Sequence, residues 1–188
     1  MEKNTFRILG MAGSLRRQSY NRGLIRAAQQ VAPPGVDIQT FDLALIPPYN
    51  ADLEAAGLPD PVRELHDRIR SADALLIATP EYNYSIPGVL KNAIDWASRP
   101  PNTSPLKYKP VSIMGATPGQ FGTVRAQLAL RQVFVFTESY VLLKPEVLVF
   151  GAAERFNTDG NLTDETTRNW VRALVTALVD WTHRLKSP

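Results

Sequence analysis

The chain has 188 residues, room for one domain with a sizeable core. Hydrophobic residues are 44% and charged residues 21%, a globular balance, and Lys plus Arg exceed Asp plus Glu by 21 − 18 = 3 without forming a basic run dense enough to track nucleic acid. Cysteine is absent and His66 and His183 are the two histidines, so disulfides, thiolate metal sites, iron–sulfur clusters, a Cys nucleophile and a His-rich metal centre all lose their ligands.

The N-terminal residues run straight into a short apolar stretch with no signal-peptide core, and no run of 18 apolar residues follows. The expectation is a cytoplasmic protein with neither a membrane nor a nucleic-acid partner. Phe6-Arg7-Ile8-Leu9-Gly10-Met11 reads as a first strand. Residues 21–31 read as a helix with Leu24, Ile25, Ala28 and Val31 on one face, stopped by Pro33-Pro34-Gly35. Val36, Ile38 and Phe41 mark a half-buried second strand, and residues 61–70 a helix carrying Val62, Leu65 and Ile69. The continuous apolar run Ala74-Leu75-Leu76-Ile77-Ala78 fits a strand covered on both faces. A helix at 87–96, a fourth strand at 111–114 and a helix at 124–136 come next. Residues 140–150 supply a fifth strand, interrupted at Lys144-Pro145 because proline cannot donate to a ladder. After the turn Asn157-Thr158-Asp159-Gly160, Thr163 is predicted to cap a last helix with Trp170, Val171, Leu174, Val175, Leu178 and Trp181 at helical spacing.

Five strands alternating with five helices predict one domain over residues 1–188, an α/β doubly wound parallel sheet with helices on both faces. Ligands in such sheets bind beyond the C-terminal strand ends, where the winding reverses. The loop after the first strand, Ala12-Gly13-Ser14-Leu15-Arg16-Arg17-Gln18-Ser19-Tyr20-Asn21, opens directly into a helix. A helix start offers backbone N–H groups and the positive end of a dipole, Ser14, Ser19 and Asn21 add neutral donors, and Arg16 and Arg17 add charge. Neither the Gly-Lys-Ser/Thr of a P-loop nor G-x-G-x-x-G is present, so a terminal phosphate is favoured over a dinucleotide here. The plainer alternative is a solvated polar turn with Ser19 as a helix cap.

The loop after the third strand, Thr79-Pro80-Glu81-Tyr82-Asn83-Tyr84-Ser85-Ile86-Pro87-Gly88, is bracketed by prolines and carries two tyrosines. A rigid loop of this kind can aim N–H groups at the edge of a planar heteroaromatic ring; the alternative is a turn whose tyrosines simply pack. After the fourth strand, Ala116-Thr117-Pro118-Gly119-Gln120-Phe121-Gly122-Thr123 has glycines that permit close backbone approach, or is an ordinary turn. Together the three loops suggest a phosphorylated aromatic cofactor.

From about Phe6 to Phe150 the chain resembles the NADPH-dependent FMN reductases of flavodoxin-like fold, including quinone/chromate reductase and azoreductase-like members. The resemblance rests on Gly13-Ser14-Leu15-Arg16 with Ser19 and Asn21, on Pro80-Glu81-Tyr82-Asn83 with Ser85-Ile86-Pro87-Gly88, and on Leu90-Lys91-Asn92-Ala93-Ile94-Asp95-Trp96 with Ser98-Arg99-Pro100. It implies strand order 2-1-3-4-5 and bound FMN. It implies that Ser14, Arg16, Ser19 and Asn21, with Tyr20 beside them, hold the FMN phosphate. Pro80, Glu81, Tyr82 and Asn83 would flank the isoalloxazine largely through main chain, and the 117–122 loop would close the other side with Thr117, Pro118 and Gly119 as contacts. Relatives often carry Gly-Gly where this chain has Gly122-Thr123.

The implied activity is hydride transfer from NADPH or NADH through FMN to a quinone, flavin, azo, chromate or nitroaromatic acceptor by a ping-pong mechanism, in a homodimer or homotetramer. The hard chemistry is the cofactor's, so no catalytic side chain and no metal is expected. Tyr84, Arg17 and Arg99 are candidates for substrate contact, Arg17 and Arg99 towards the NADPH 2′-phosphate. Arg125 and Glu146 are a candidate pair across a subunit boundary, and both histidines are expected on polar helix faces. Alternatives are an electron carrier or flavin-binding regulatory module without turnover, and more remotely a phosphate-binding hydrolase.

Overall fold

The computed structural model describes residues 5–186. The chain-terminal stretch 1–4, read above as lacking a leader's apolar core, lies outside the described residues. Strand β1 (Phe6–Ala12) leads to α1 (Tyr20–Val31) and β2 (Val36–Phe41), then to a short α2 (Ala51–Ala56) and α3 (Asp60–Ser71). Next come β3 (Ala74–Ala78), α4 (Gly88–Ala97), β4 (Pro110–Ala116) and α5 (Val124–Phe136). The chain finishes with β5 (Tyr140–Val141), β6 (Val147–Val149), α6 (Ala152–Arg155) and α7 (Glu165–Lys186).

All pairings in the sheet are parallel, in the order β2-β1-β3-β4-β5, with β6 also on β4. The order is the expected one, but the strands number six, not five. Val111 of β4 faces Val141 and Met114 faces Val147, so three steps along β4 are matched by six along its neighbour. The extra residues bulge out around Pro145, which has no N–H for the ladder, and split the predicted fifth strand in two.

The two-residue period of the strands sorts side chains onto two cores. Ile8, Leu76 and Ala78 face one way and pack with Leu24 and Ile25 of α1 and Leu174 and Leu178 of α7. Leu9, Met11, Leu75 and Ile77 face the other and pack with Leu65 and Ile69 of α3, Ile94 and Trp96 of α4, and Leu130 and Phe134 of α5. Each fully buried Leu or Ile contributes roughly 1.5–3 kcal/mol relative to exposure, which is why α3 holds its place with a mainly charged outer face. β1 connects outward to β2 on one side and to β3 on the other, so the winding reverses at the C-terminal ends of β1 and β3.

Two local expectations change. Asp164, not Thr163, caps α7: its carboxylate accepts from the Thr167 N–H at 2.7 Å, while the Thr163 hydroxyl donates to the Arg155 carbonyl. The Asp164 carboxyl is held below the usual range by the Thr167 hydroxyl and N–H and by Arg155. His66 is fully buried, not on a polar face. It sits on the inward side of α3 with Nε2 at 3.0 Å from the Trp96 carbonyl; since a carbonyl only accepts, Nε2 carries the proton, and Nδ1 is left buried without a partner. Burial pushes the His66 pKa below its ordinary value. His183 is exposed on α7, its ring centroid 5.4 Å from that of Phe6.

Candidate functional site

The loop leaving β1 starts as an extension of the sheet, the Gly13 N–H donating to the Ala78 carbonyl at 2.9 Å. A Cβ on Gly13 would lie 3.2 Å from both Leu90 and Pro80, so glycine lets this loop press against α4 and the loop after β3. Ser19 caps α1, its hydroxyl accepting from the N–H groups of Asn21 at 3.2 Å and Arg22 at 3.4 Å. Between these anchors, among the described residues, the backbone N–H groups of residues 14–18 donate to no acceptor. Five consecutive free donors at a helix N-terminus are an arrangement that favours an anion without any special side chain. Ser14 and Ser19 are buried beside them; Arg16 and Arg17 are exposed, the Arg16 guanidinium 5.0 Å from the centroid of Tyr20.

Two of the predicted phosphate residues have partners within the chain. Asn21 is buried, and its amide donates to the Ala116 carbonyl at 3.0 Å while its oxygen accepts from the Ala116 N–H at 2.9 Å. The side chain is a strut between α1 and the end of β4, engaged at both ends. Tyr20 packs its ring on Phe156, with centroids 5.1 Å apart. Sequence reasoning missed Arg22, whose Nε donates to the Ser14 carbonyl at 3.1 Å while Nη2 pairs with Asp42 at 3.0 Å, bracing the loop from behind. Nothing in the local sequence separates Arg22 from its exposed neighbours Arg16 and Arg17; only the approach of β2 does.

The loop after β3 closes into a two-residue hairpin turn. Tyr82 and Ser85 exchange N–H···O bonds at 3.1 and 3.0 Å, and Asn83 (φ 50°) and Tyr84 (φ 66°) both have left-handed backbone. That sign pattern belongs to a type I′ turn, tolerable at Asn and strained at Tyr. The Tyr82 hydroxyl lies 3.4 Å from the Ser14 hydroxyl and joins this loop to the first. Pro80 follows the buried Thr79, whose hydroxyl donates to the Pro80 carbonyl at 2.8 Å. The N–H groups of Glu81, Asn83 and Tyr84 have no acceptor among the described residues.

Facing this turn across a cleft of about 290 Å³ is the loop after β4. Asn83, Tyr84, Thr117, Gly119, Phe121 and Arg125 line the cleft. Thr117 ties the loop to the last strand, its N–H donating to the Val149 carbonyl at 3.0 Å, and the Gly119 N–H donates to the Thr117 hydroxyl at 3.2 Å. Pro118 sits exposed at the tip between them. Gly122 (φ 54°) and Thr123 (φ 68°) are both left-handed. The buried Thr123 hydroxyl occupies the space that a side chain on Gly115 would need and accepts from Gln127 Nε2 at 3.1 Å. A threonine is therefore accommodated where relatives often have glycine. The Arg125 guanidinium lies between two exposed rings, 3.7 Å from the centroid of Tyr84 and 4.4 Å from that of Phe121. Arg125 pairs with Glu81, and Glu146 with Lys144, so the two do not meet each other in this chain.

The loop after β1 and the cleft lie at adjoining strand ends. A model of the NADPH-dependent FMN reductases matches residues 6–154. The chain belongs to that family. It is an oxidoreductase, 48% identical over 180 residues to the NAD(P)H-dependent FMN reductase of Pseudomonas aeruginosa, covering 96% of this chain and 97% of that protein. It is 44% identical to an NAD(P)H:quinone oxidoreductase of Solanum tuberosum, covering 96% and 94%. The solved structure of FerB, a flavoenzyme NAD(P)H:(acceptor) oxidoreductase of Paracoccus denitrificans, superposes with a TM-score of 0.86 at 37% identity, covering 95% of this chain and 98% of that one.

In this FMN reductase the block Lys91-Asn92-Ala93-Ile94-Asp95-Trp96 proves to be scaffold. Asn92 Nδ2 and Trp96 Nε1 both donate to the Pro47 carbonyl at 2.8 Å, and Asn92 Oδ1 accepts from the Tyr49 N–H at 2.7 Å. These bonds pin the loop after β2 to α4. Arg99 belongs to the same region, its guanidinium 5.7 Å from the Tyr49 ring, and the structure does not bring it to the cleft. A second cavity of about 280 Å³, between α1 and β2, is lined by Ile25, Gln29, Thr40, Phe41 and the Arg22–Asp42 pair and receives none of the predicted site residues. Among the described residues no helix is long and apolar enough to cross a membrane, and no group of three or more His, Asp or Glu could hold a metal ion.

Proposed function

We propose that this reductase binds FMN with the phosphate on the free N–H groups of residues 14–18 and the isoalloxazine in the cleft between residues 80–84 and 117–121. The five unbonded donors at the start of α1 carry this reading. Ser14 and Ser19 add hydroxyls and Arg16 adds charge. Asn21 acts at one remove, fixing the start of α1 to β4. The free N–H groups of Glu81, Asn83 and Tyr84 suit the polar edge of the ring, with Pro80 and Tyr82 shaping its border and Thr117, Pro118 and Gly119 the opposite wall. Bound FMN supplies reversible hydride acceptance, which lets NAD(P)H and a quinone or similar small acceptor use one site in turn, a ping-pong reaction. The protein's share is orientation, exclusion of bulk water, and donors placed where negative charge develops on the reduced ring. Tyr84 borders the space left for the incoming substrate, and Arg17, exposed beside the phosphate loop, is the residue assigned to the NADPH 2′-phosphate.

The absorbance spectrum of purified protein with added FMN, followed by anaerobic reduction with NADPH and NADH in turn and steady-state turnover with a quinone, tests this directly. Yellow protein that is reduced and turns over without a partner protein is expected. Protein that takes up no FMN would overturn the assignment.

We also propose a homodimer or homotetramer. Helix α5 leaves Leu128, Val135 (78% exposed) and Phe136 (82%) on the surface, an apolar stripe that a second copy would cover. Light scattering on wild type and on Val135→Asp/Phe136→Asp checks this, with a shift towards monomer expected; wild type that is already monomeric would refute it.

A further inference from the structure

We propose that the Glu81 side chain is a positioning residue that ties the two loops bordering the cleft to each other and so sets the width of the ring slot; this rests on the FMN reading above. The observation behind it is a helix capped by the wrong residue. Helix α5 begins after Thr123, a residue type that normally caps, yet Thr123 is left-handed and makes no cap bond. Its hydroxyl is turned to Gln127 and Gly115 instead. The Val124 N–H is met by the Phe121 carbonyl at 2.9 Å, and the next two N–H groups of α5 need an acceptor from elsewhere.

Glu81 is that acceptor, from the facing loop. Oε2 accepts from the N–H groups of Arg125 at 3.0 Å and Ala126 at 3.3 Å, and Oε1 pairs with the Arg125 guanidinium. The side chain is only 7% exposed. A carboxylate at a helix N-terminus is favoured by the dipole as well as by the bonds. On its own side Glu81 is held by Pro80 before it and by the tight Tyr82–Ser85 turn after it, so the loop cannot drift while the carboxylate stays put. Arg125 then stacks between Tyr84 from one loop and Phe121 from the other, extending the same link to the cleft mouth. The main chain of Glu81 would meet the ring edge while its side chain decides how far away the opposite wall stands.

The experiment compares full-length wild type, Glu81→Ala, Glu81→Gln and Glu81→Asp. It reads FMN and riboflavin affinities by fluorescence titration and the hydrogen exchange of the Arg125 and Ala126 amides. Glu81→Ala is expected to weaken FMN and riboflavin by the same factor, about tenfold, and to speed exchange at both amides. Glu81→Gln keeps an acceptor oxygen at the same reach and should recover part of both losses. Glu81→Asp keeps the charge but falls one methylene short, and should weaken both flavins alike. Faster exchange with unchanged flavin affinity would make Glu81 a helix cap alone and overturn the proposal. A changed ratio of FMN to riboflavin affinity would overturn it too, because the effect would then lie at the phosphate loop. If Glu81→Ala does not fold, Glu81→Asp carries the test, and wild-type affinity in that variant sinks the idea. Wild type that binds no flavin would refute the FMN reading itself, whereas wild type and Glu81→Ala binding FMN equally would refute the inference alone.

Discussion

The loop after β1 and the cleft between the loops after β3 and β4, to which we assign the phosphate and the ring of FMN, are built by different means. Residues 13–21 are held by the Ser19 cap, by the Gly13 N–H on the Ala78 carbonyl and by the Asn21 strut to β4, and they leave main-chain donors free. The cleft is held by side chains reaching between elements far apart in sequence: Glu81 to α5, Tyr82 to Ser14, Arg125 between Tyr84 and Phe121. A doubly charged anion needs many fixed donors, which a helix start provides intrinsically. A flat ring needs two walls at a set distance, and that distance exists only once the loops are assembled.

The contrast breaks most sharply at the phosphate. Arg16→Ala combined with Ser19→Ala should weaken FMN about 100-fold or more, since charge-assisted hydrogen bonds contribute roughly 1.5–3 kcal/mol each, while riboflavin affinity moves much less. Fluorescence titration with both flavins decides it; equal losses for the two would put the phosphate elsewhere. Asn21→Ala tests the strut behind the loop. It leaves the buried Ala116 N–H and carbonyl without partners, and should lower unfolding free energy by about 2–3 kcal/mol in denaturant titration. A change under a few tenths would mean that α1 is held without it.

Smaller effects sharpen the other side. Tyr84→Ala and Phe121→Ala each remove one ring from beside Arg125, a contact worth about 0.5–1 kcal/mol at an exposed site, and should raise the Kd of both flavins a few-fold while lowering the melting temperature by about 1–4 °C. Loss of FMN affinity with riboflavin spared would assign these rings to the phosphate. Away from the site, the lowered His66 pKa gives stability a pH slope. Below its ordinary value of 6.5 the unfolded chain binds a proton that the folded chain refuses, so the contribution is full above that value and is lost as pH falls through it. Melting temperatures should drop between pH 7.5 and 5.5 in wild type and stay flatter in His66→Gln, whose amide can still donate to Trp96; parallel curves would show that His66 is not the titrating group.

The amino-acid sequence by itself determined the alternation of strands and helices, the sheet order implied by the family blocks, and the identity of three unusual loops at strand ends. Those features are local: periodicity, proline and glycine positions, and a capping serine act over a few residues. Only the tertiary structure decided which side chains in those loops are tied into the frame and which are left without a partner. Asn21 reads as a donor to a ligand and also braces α1 against β4, Trp96 and Asn92 clamp the loop after β2, and Arg99 stands by Tyr49 and is not among the residues lining the cleft. His66 reads as a surface residue because its helical neighbours are charged, yet α4 covers it. Thr123 precedes α5 without capping it, and Glu81 accepts there because two loops meet. Hydrogen-bond partners distant along the chain leave no periodic trace in it, so these roles are set by which elements the packed cores bring side by side.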